Sequence, residues 1–206
     1  VPILVECKPA IPVTVSMQDD TCPMPYARIT IRDEFSRVYP AQVRRLAPDF
    51  FFQEHIYRRD GEVILLPPGD FVIESMRGPE YERQIQKLHV AENAKPTLNV
   101  ELRRWVRPSD YGWYSGDHHI HGAGCAHYQN PTQGVTPEDM FRQVSGEGLN
   151  VGCVLTWGPC FEFQRQFFRP DIDRISQADT IMKYDLEISG FGSQALGHVC
   201  LLNLKN

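Results

Sequence analysis

From Val1 to about Arg107 the chain is written in short runs of alternating apolar and polar residues separated by turn residues, with no helical stretch. Ala27 to Arg32 alternates cleanly, which places Ile29 and Ile31 on one face of a strand. Glu62 to Leu66, the turn Pro67-Pro68-Gly69-Asp70, and Phe71 to Glu74 read as strand, turn, strand, and Tyr81 to Val90 and Thr97 to Arg104 add two more strands. Strands at this spacing predict a small antiparallel β-sandwich over residues 1–107.

The pattern changes after the turn-rich linker Pro108 to Gly112. Trp113 to His121 has strand character. Thr136 is placed to cap a helix whose first residue is Pro137, Phe141 to Glu147 continue it, and Gly148 ends it. Asn150 to Thr156 is an apolar strand, so strand, helix and strand follow one another as in a βα unit of a parallel sheet. Beyond an irregular aromatic and basic run, Phe161 to Arg169, two further strands are predicted at Tyr184 to Ser189 and Gly197 to Leu204. That run suits packing over the sheet, or a pocket wall in which Arg165 or Arg169 holds an anionic group. Residues 113–206 are therefore expected to be a partial α/β domain, and the chain to be multidomain.

Composition adds exclusions. A formal charge of −5 with scattered Lys and Arg gives no footprint for nucleic acid. The longest apolar runs, Val63 to Leu66 and Val199 to Leu202, fall far short of the roughly 20 residues that span a bilayer. The start at Val1-Pro2-Ile3, without an initiator Met, fits removal of a signal peptide or a boundary within a longer chain, and a periplasmic or secreted location is favoured over a cytoplasmic one. Six cysteines lack any C-x-x-C pair, which argues against a zinc ribbon. Most read as small core residues, and Cys7 with Cys22 is the one pair considered for a local disulfide.

The chemistry gathers at Asp117-His118-His119-Ile120-His121. In a strand, His119 and His121 project to one face and can bind one cation through neutral imidazole nitrogens, while His118 points the other way. Asp117 shares their parity and could orient a ligand imidazole by accepting its second N–H. His127 follows in a loop containing Gly122 and Gly124 that can fold back over the strand end. The competing reading of so many histidines is an exposed loop or a purification tag. A tag is an unbroken run at a terminus, and this cluster is internal and interrupted.

Two resemblances sharpen these expectations. Leu65 to Ile73, with its Pro67-Pro68-Gly69 turn, resembles a hairpin of carboxypeptidase-regulatory-like sandwiches, which implies an accessory domain without chemistry of its own. Asp117-His118-His119-Ile120-His121 resembles the D-x-H-x-H motif of the polymerase-and-histidinol-phosphatase (PHP) superfamily of metal-dependent hydrolases, and in particular its carbaryl-hydrolase-like branch. That superfamily often has a third His soon after the motif, where this chain has His127. It also has a late strand-end Glu followed by a His, as in Asp185-Leu186-Glu187 and Gly197-His198. Taken singly, Glu187 reads as a salt-bridge partner and His198 as a core histidine. The resemblance implies a PHP-type β/α barrel with metal ligands His119, His121, His127, Glu187 and His198, up to three divalent metals, and hydrolysis of esters, carbamates or phosphoesters in a small-molecule substrate. His and carboxylate ligands suit zinc, manganese or iron alike.

Two departures bear on this. The family's T-D-H at the next strand end is replaced by Leu155-Thr156-Trp157-Gly158, and the sequence stops at Asn206, ahead of the remaining His and Asp ligands. The chain is thus expected to hold about half of a complete site. His198 to Leu204 would form an open edge covered by the remainder of the polypeptide or by a second copy of the chain. The alternative to a hydrolase is a binding or structural module with a degenerate metal site.

Overall fold

The structure, a computed structural model, describes residues 8–43, 45–122, 135–156, 160–189, 195 and 197–205. Two compact units divide the chain, Val1–Trp105 and Val106–Asn206. The predicted linker Pro108 to Gly112 is a 3-10 turn over Pro108–Tyr111 that belongs to the second unit.

The first unit is built from β1 (Ile11–Asp19), β2 (Tyr26–Asp33), β3 (Val38–Tyr39), β4 (Ile56–Arg59), β5 (Val63–Leu66), β6 (Gly69–Met76), β7 (Gln84–Val90) and β8 (Thr97–Leu102). One sheet runs β5-β1-β8, and the other runs β3-β2-β6-β7 with β4 also on β2. The alternation read in the sequence becomes the core. In β1, Ile11, Val13, Val15 and Met17 are buried while Pro12 and Thr14 are exposed, and Ile29, Ile31, Ile64, Leu66, Ile73, Leu98 and Val100 complete the cluster.

Two expectations for this unit are corrected. The sandwich is not wholly antiparallel, because β8 lies parallel to β1 in the register Thr14↔Thr97 to Asp19↔Leu102. Alternation specifies which face a side chain takes and is silent on strand direction. The Pro67-Pro68 turn does not close a hairpin either: β5 pairs with β1, while β6 pairs with β2 and β7. Two consecutive prolines offer no N–H to a ladder, so the chain there leaves one sheet and enters the other. Cys22 is buried, and Cys7, its suggested disulfide partner, lies outside the described residues.

The second unit contains β9 (Gly116–His121), α1 (Pro137–Gly146), β10 (Val151–Thr156), α2 (Phe161–Gln164), β11 (Ile181–Ser189) and β12 (His198–Leu201). Its sheet has the order β12-β11-β10-β9, with β9, β10 and β11 mutually parallel and β12 antiparallel to β11. The described residues make an open four-stranded sheet with helices, and a closed parallel barrel is not among them.

Asn150 levels the parallel strands at their starts. Its side chain accepts from the Ser115 N–H at 3.0 Å and donates to the Asp179 carbonyl at 2.8 Å, and its own carbonyl accepts from the Ile181 N–H at 2.8 Å. Helix α1 begins as its sequence predicts. Thr136 Oγ1 accepts from the Asp139 N–H at 3.3 Å, and Pro137 occupies the first turn. It ends where Gly148 takes the left-handed conformation at φ 67°, with the Leu149 N–H reaching back to the Val144 carbonyl at 3.1 Å. Met140, Phe141 and Val144 are buried, each worth about 1.5–3 kcal/mol when removed from water. The irregular run folds as α2 and a 3-10 turn over Arg165–Phe167, and it packs through the Phe167 ring, 5.2 Å from that of Tyr184. No helix among the described residues is long and apolar enough to cross a membrane.

Close approach of α1 to the sheet depends on Gly152, where an added Cβ would meet the Val144 methyls at 2.7 and 2.9 Å. Gly152→Ala should therefore push the helix off β10 and destabilise the protein by about 1–3 kcal/mol. A lowered urea midpoint with unchanged m-value is the expected result.

Candidate metal centre

Three strands deliver the candidate ligands. His119 and His121 stand at the C-terminal end of β9, Glu187 near the end of β11 and His198 at the start of β12. Strand β11 reaches its position through pairing with β10, and β12 is joined to it by the register Ser189↔His198 and Glu187↔Cys200. Chain segments far apart in sequence thus meet on one face of one sheet.

Glu187 is the centre of the group. Its Oε2 lies 3.0 Å from His119 Nε2 and 2.8 Å from His121 Nε2, and those two nitrogens are 3.0 Å apart. Its Oε1 contacts His198 Nδ1 and accepts from Ser189 Oγ at 2.7 Å. Donor atoms of His119, Glu187 and His198 all fall within 4.8 Å of one another. The Glu187 side chain is fully buried, whereas those of His119, His121 and His198 are 36%, 23% and 38% exposed. The carboxylate is the floor of the site, and solvent reaches the imidazoles above it.

Burial by itself pushes the Glu187 carboxyl up. Hydrogen bonds from Ser189, His198 and His119, with the nearby His121, outweigh that effect and draw it down from 4.5 to about 2. His121 is held below its ordinary value of 6.5 because burial disfavours the imidazolium more than Glu187 favours it. A carboxylate whose ionised form is favoured, beside an imidazole whose charged form is disfavoured, is a donor set that fits a divalent cation.

The expected ligands His119, His121, Glu187 and His198 are thus brought together, while His127 lies outside the described residues. Asp117 takes a different position from the one its parity suggested. Its Oδ1 accepts from the main-chain N–H of His119 at 2.9 Å, which steadies β9 instead of orienting a ring. The reason is a register shift between β9 and β10: Asp117 is opposite Gly152 and Ile120 opposite Val154, so His118 and His119 share the place opposite Cys153. The extra residue breaks the alternation between Asp117 and His119. Thr156 at the β10 end is buried, and Trp157 and Gly158, which stand where the resemblance expects ligands, lie outside the described residues.

The sequence does not single out Ser189, which is bonded to Glu187, and its cysteines read as core residues, yet Cys200 Sγ lies 3.8 Å from His119 Nδ1. Each is two residues from a ligand on its own strand, and that period-two spacing is the signal that could have found them.

Both shifts act on stability in the same sense. Lowering the folded pKa of His121 leaves its contribution intact above pH 6.5 and removes it as pH falls below that value. For Glu187, depressed from 4.5 to about 2, the contribution is present above pH 4.5 and lost as pH falls through about 2. In metal-free protein the Tm should accordingly decline below pH 6.5, and the Tm gap between wild type and Glu187→Gln should close as pH falls from 4.5 toward about 2. A gap that stays constant over that range would show that Glu187 is not held ionised by its neighbours.

No protein-family model and no curated protein matches the chain, so its function is argued from the site itself.

Proposed function

We propose that this chain carries the metal-binding end of a metal-dependent hydrolase of the PHP type, acting on ester, carbamate or phosphoester bonds of a small molecule. The observation that carries the reading is the convergence of His119, His121 and His198 on the buried carboxylate of Glu187. The convergence lies toward the C-terminal ends of parallel strands β9 and β11, the end at which open α/β sheets build their sites. Such a domain would continue the sheet toward a PHP barrel.

His119, His121, Glu187 and His198 would hold the cation. When bound, a divalent metal of this kind supplies Lewis-acid activation of water near neutral pH and polarisation of a carbonyl or phosphoryl oxygen. The protein's own residues prepare the place. Glu187 contributes a fixed negative charge that desolvation cannot neutralise, because its hydrogen bonds keep it ionised. Burial of His121 disfavours its imidazolium form, so the neutral ring that a cation requires is the favoured one. Asp117 fixes the backbone of the bulged strand, so the rings of His119 and His121 stay on a common face.

A second reading, a binding or structural module with a reduced metal site, is favoured by one feature. After Thr156 the sequence continues with Trp157 and Gly158 in place of the Asp and His of the family's T-D-H, so it supplies neither carboxylate nor imidazole there. Elemental analysis of protein purified without a tag separates the readings when combined with hydrolysis of aryl ester, carbamate and phosphoester probes. Bound zinc, manganese or iron and chelator-sensitive hydrolysis are expected. His121→Ala and Glu187→Gln should lose most of both, whereas Asp117→Asn, which keeps an acceptor for the His119 N–H, should stay near wild type. Metal without hydrolysis would select the structural module. Absence of metal from wild-type protein after dialysis against each cation would reject both.

A further inference from the structure

The two nitrogens of the His119 imidazole meet different neighbours. Nε2 faces Glu187 Oε2 and His121 Nε2, each at 3.0 Å, whereas Nδ1 faces Cys200 Sγ at 3.8 Å. Cys200 arrives there because it is the register partner of Glu187 across β11 and β12, and directly opposed residues of a ladder present their side chains to the same face. A neutral imidazole that binds a cation through Nε2 keeps its proton on Nδ1 and needs an acceptor for it. Asp117, the carboxylate that sequence parity put forward for that duty, is engaged with the His119 main-chain N–H. Among the described residues, the hydrogen-bonding atom placed at Nδ1 is the Cys200 sulfur.

We infer that Cys200 is a positioning residue of the metal centre: its sulfur accepts the Nδ1 proton of His119 and holds the ring with Nε2 toward Glu187. This rests on the proposed metal-binding role of the site and adds to it the group that sets the orientation of one ligand. Ser189 has the matching place behind Glu187, where its hydroxyl occupies Oε1 and leaves Oε2 facing the two β9 imidazoles. Cys200 is half-buried, and its sulfur lies at the Nδ1 of the ring, away from the Nε2 that faces Glu187. Its effect is therefore on ring orientation and ligand basicity, and the sulfur need not touch the metal.

The test is a Zn2+ titration of the whole chain by competition with a chromophoric chelator, using wild type, Glu187→Gln, Cys200→Ala and Cys200→Ser. Cys200→Ala should weaken Zn2+ binding about 10- to 100-fold, the usual consequence of removing a group that orients a ligand imidazole. Cys200→Ser keeps an acceptor and should recover most of that loss. A role in packing alone would not move a second readout, the His119 Nδ1 proton in 15N-edited NMR spectra of the Zn2+-loaded protein. That proton should exchange slowly in wild type and rapidly in Cys200→Ala. If wild type and Glu187→Gln both fail to bind Zn2+, the metal reading falls and this inference falls with it. If Glu187→Gln loses Zn2+ while Cys200→Ala binds as wild type, the metal reading stands and the role of Cys200 is overturned. Should Cys200→Ala fail to fold, the wild-type spectrum decides: rapid exchange of the His119 Nδ1 proton overturns the assignment.

Discussion

A carboxylate taken fully out of water must be repaid by hydrogen bonds or opposite charge, and the second unit is organised around that requirement at Glu187. Hydrogen bonds from a serine on its own strand and contacts with imidazoles on two others surround both oxygens. The same contacts keep the group ionised and aim its second oxygen at the rings of His119 and His121. A cation in the middle of these donors would satisfy the same electrostatic need more strongly than the imidazoles alone. Stability and proposed function therefore draw on one interaction.

That arrangement needs strands brought to a common level and a helix close beneath them. Asn150 fastens the starts of β9, β10 and β11, so the positions reached after several residues of parallel ladder are set by a single side chain at the opposite end. Gly152 lets Val144 of α1 approach the sheet more closely than any side chain would permit. The bulge in β9 then spends one residue to move Asp117 out of phase with His119. Bulges recur next to active sites because a local break in alternation re-aims side chains without disturbing the rest of the ladder.

The outer strand β12 is antiparallel to its neighbour, and on the face away from Glu187 the register partners Ile188 and Val199 are both exposed. Glu187 and Cys200, partners on the other face, are drawn into the site. One short ladder thus presents polar groups to one side and apolar groups to the other. This is the period-two logic that also builds the core of the sandwich in the first unit.

What the sequence determined by itself was local. Alternation predicted the strands at Ala27–Arg32 and Thr97–Arg104, Thr136, Pro137 and Gly148 marked the ends of α1, and the spacing of His119 and His121 placed two imidazoles on one face. These depend on backbone dihedrals and side-chain period, which neighbouring residues set. Only the tertiary structure decided which strands became neighbours. It put β1 parallel to β8, sent β5 and β6 to different sheets, brought Glu187 to histidines 66 and 68 residues away, and seated Cys200 behind His119. Period two tells a residue which face it occupies and nothing about what lies across the ladder. That choice, like the bulge that displaced Asp117, comes from the summed pairing and packing of the whole sheet.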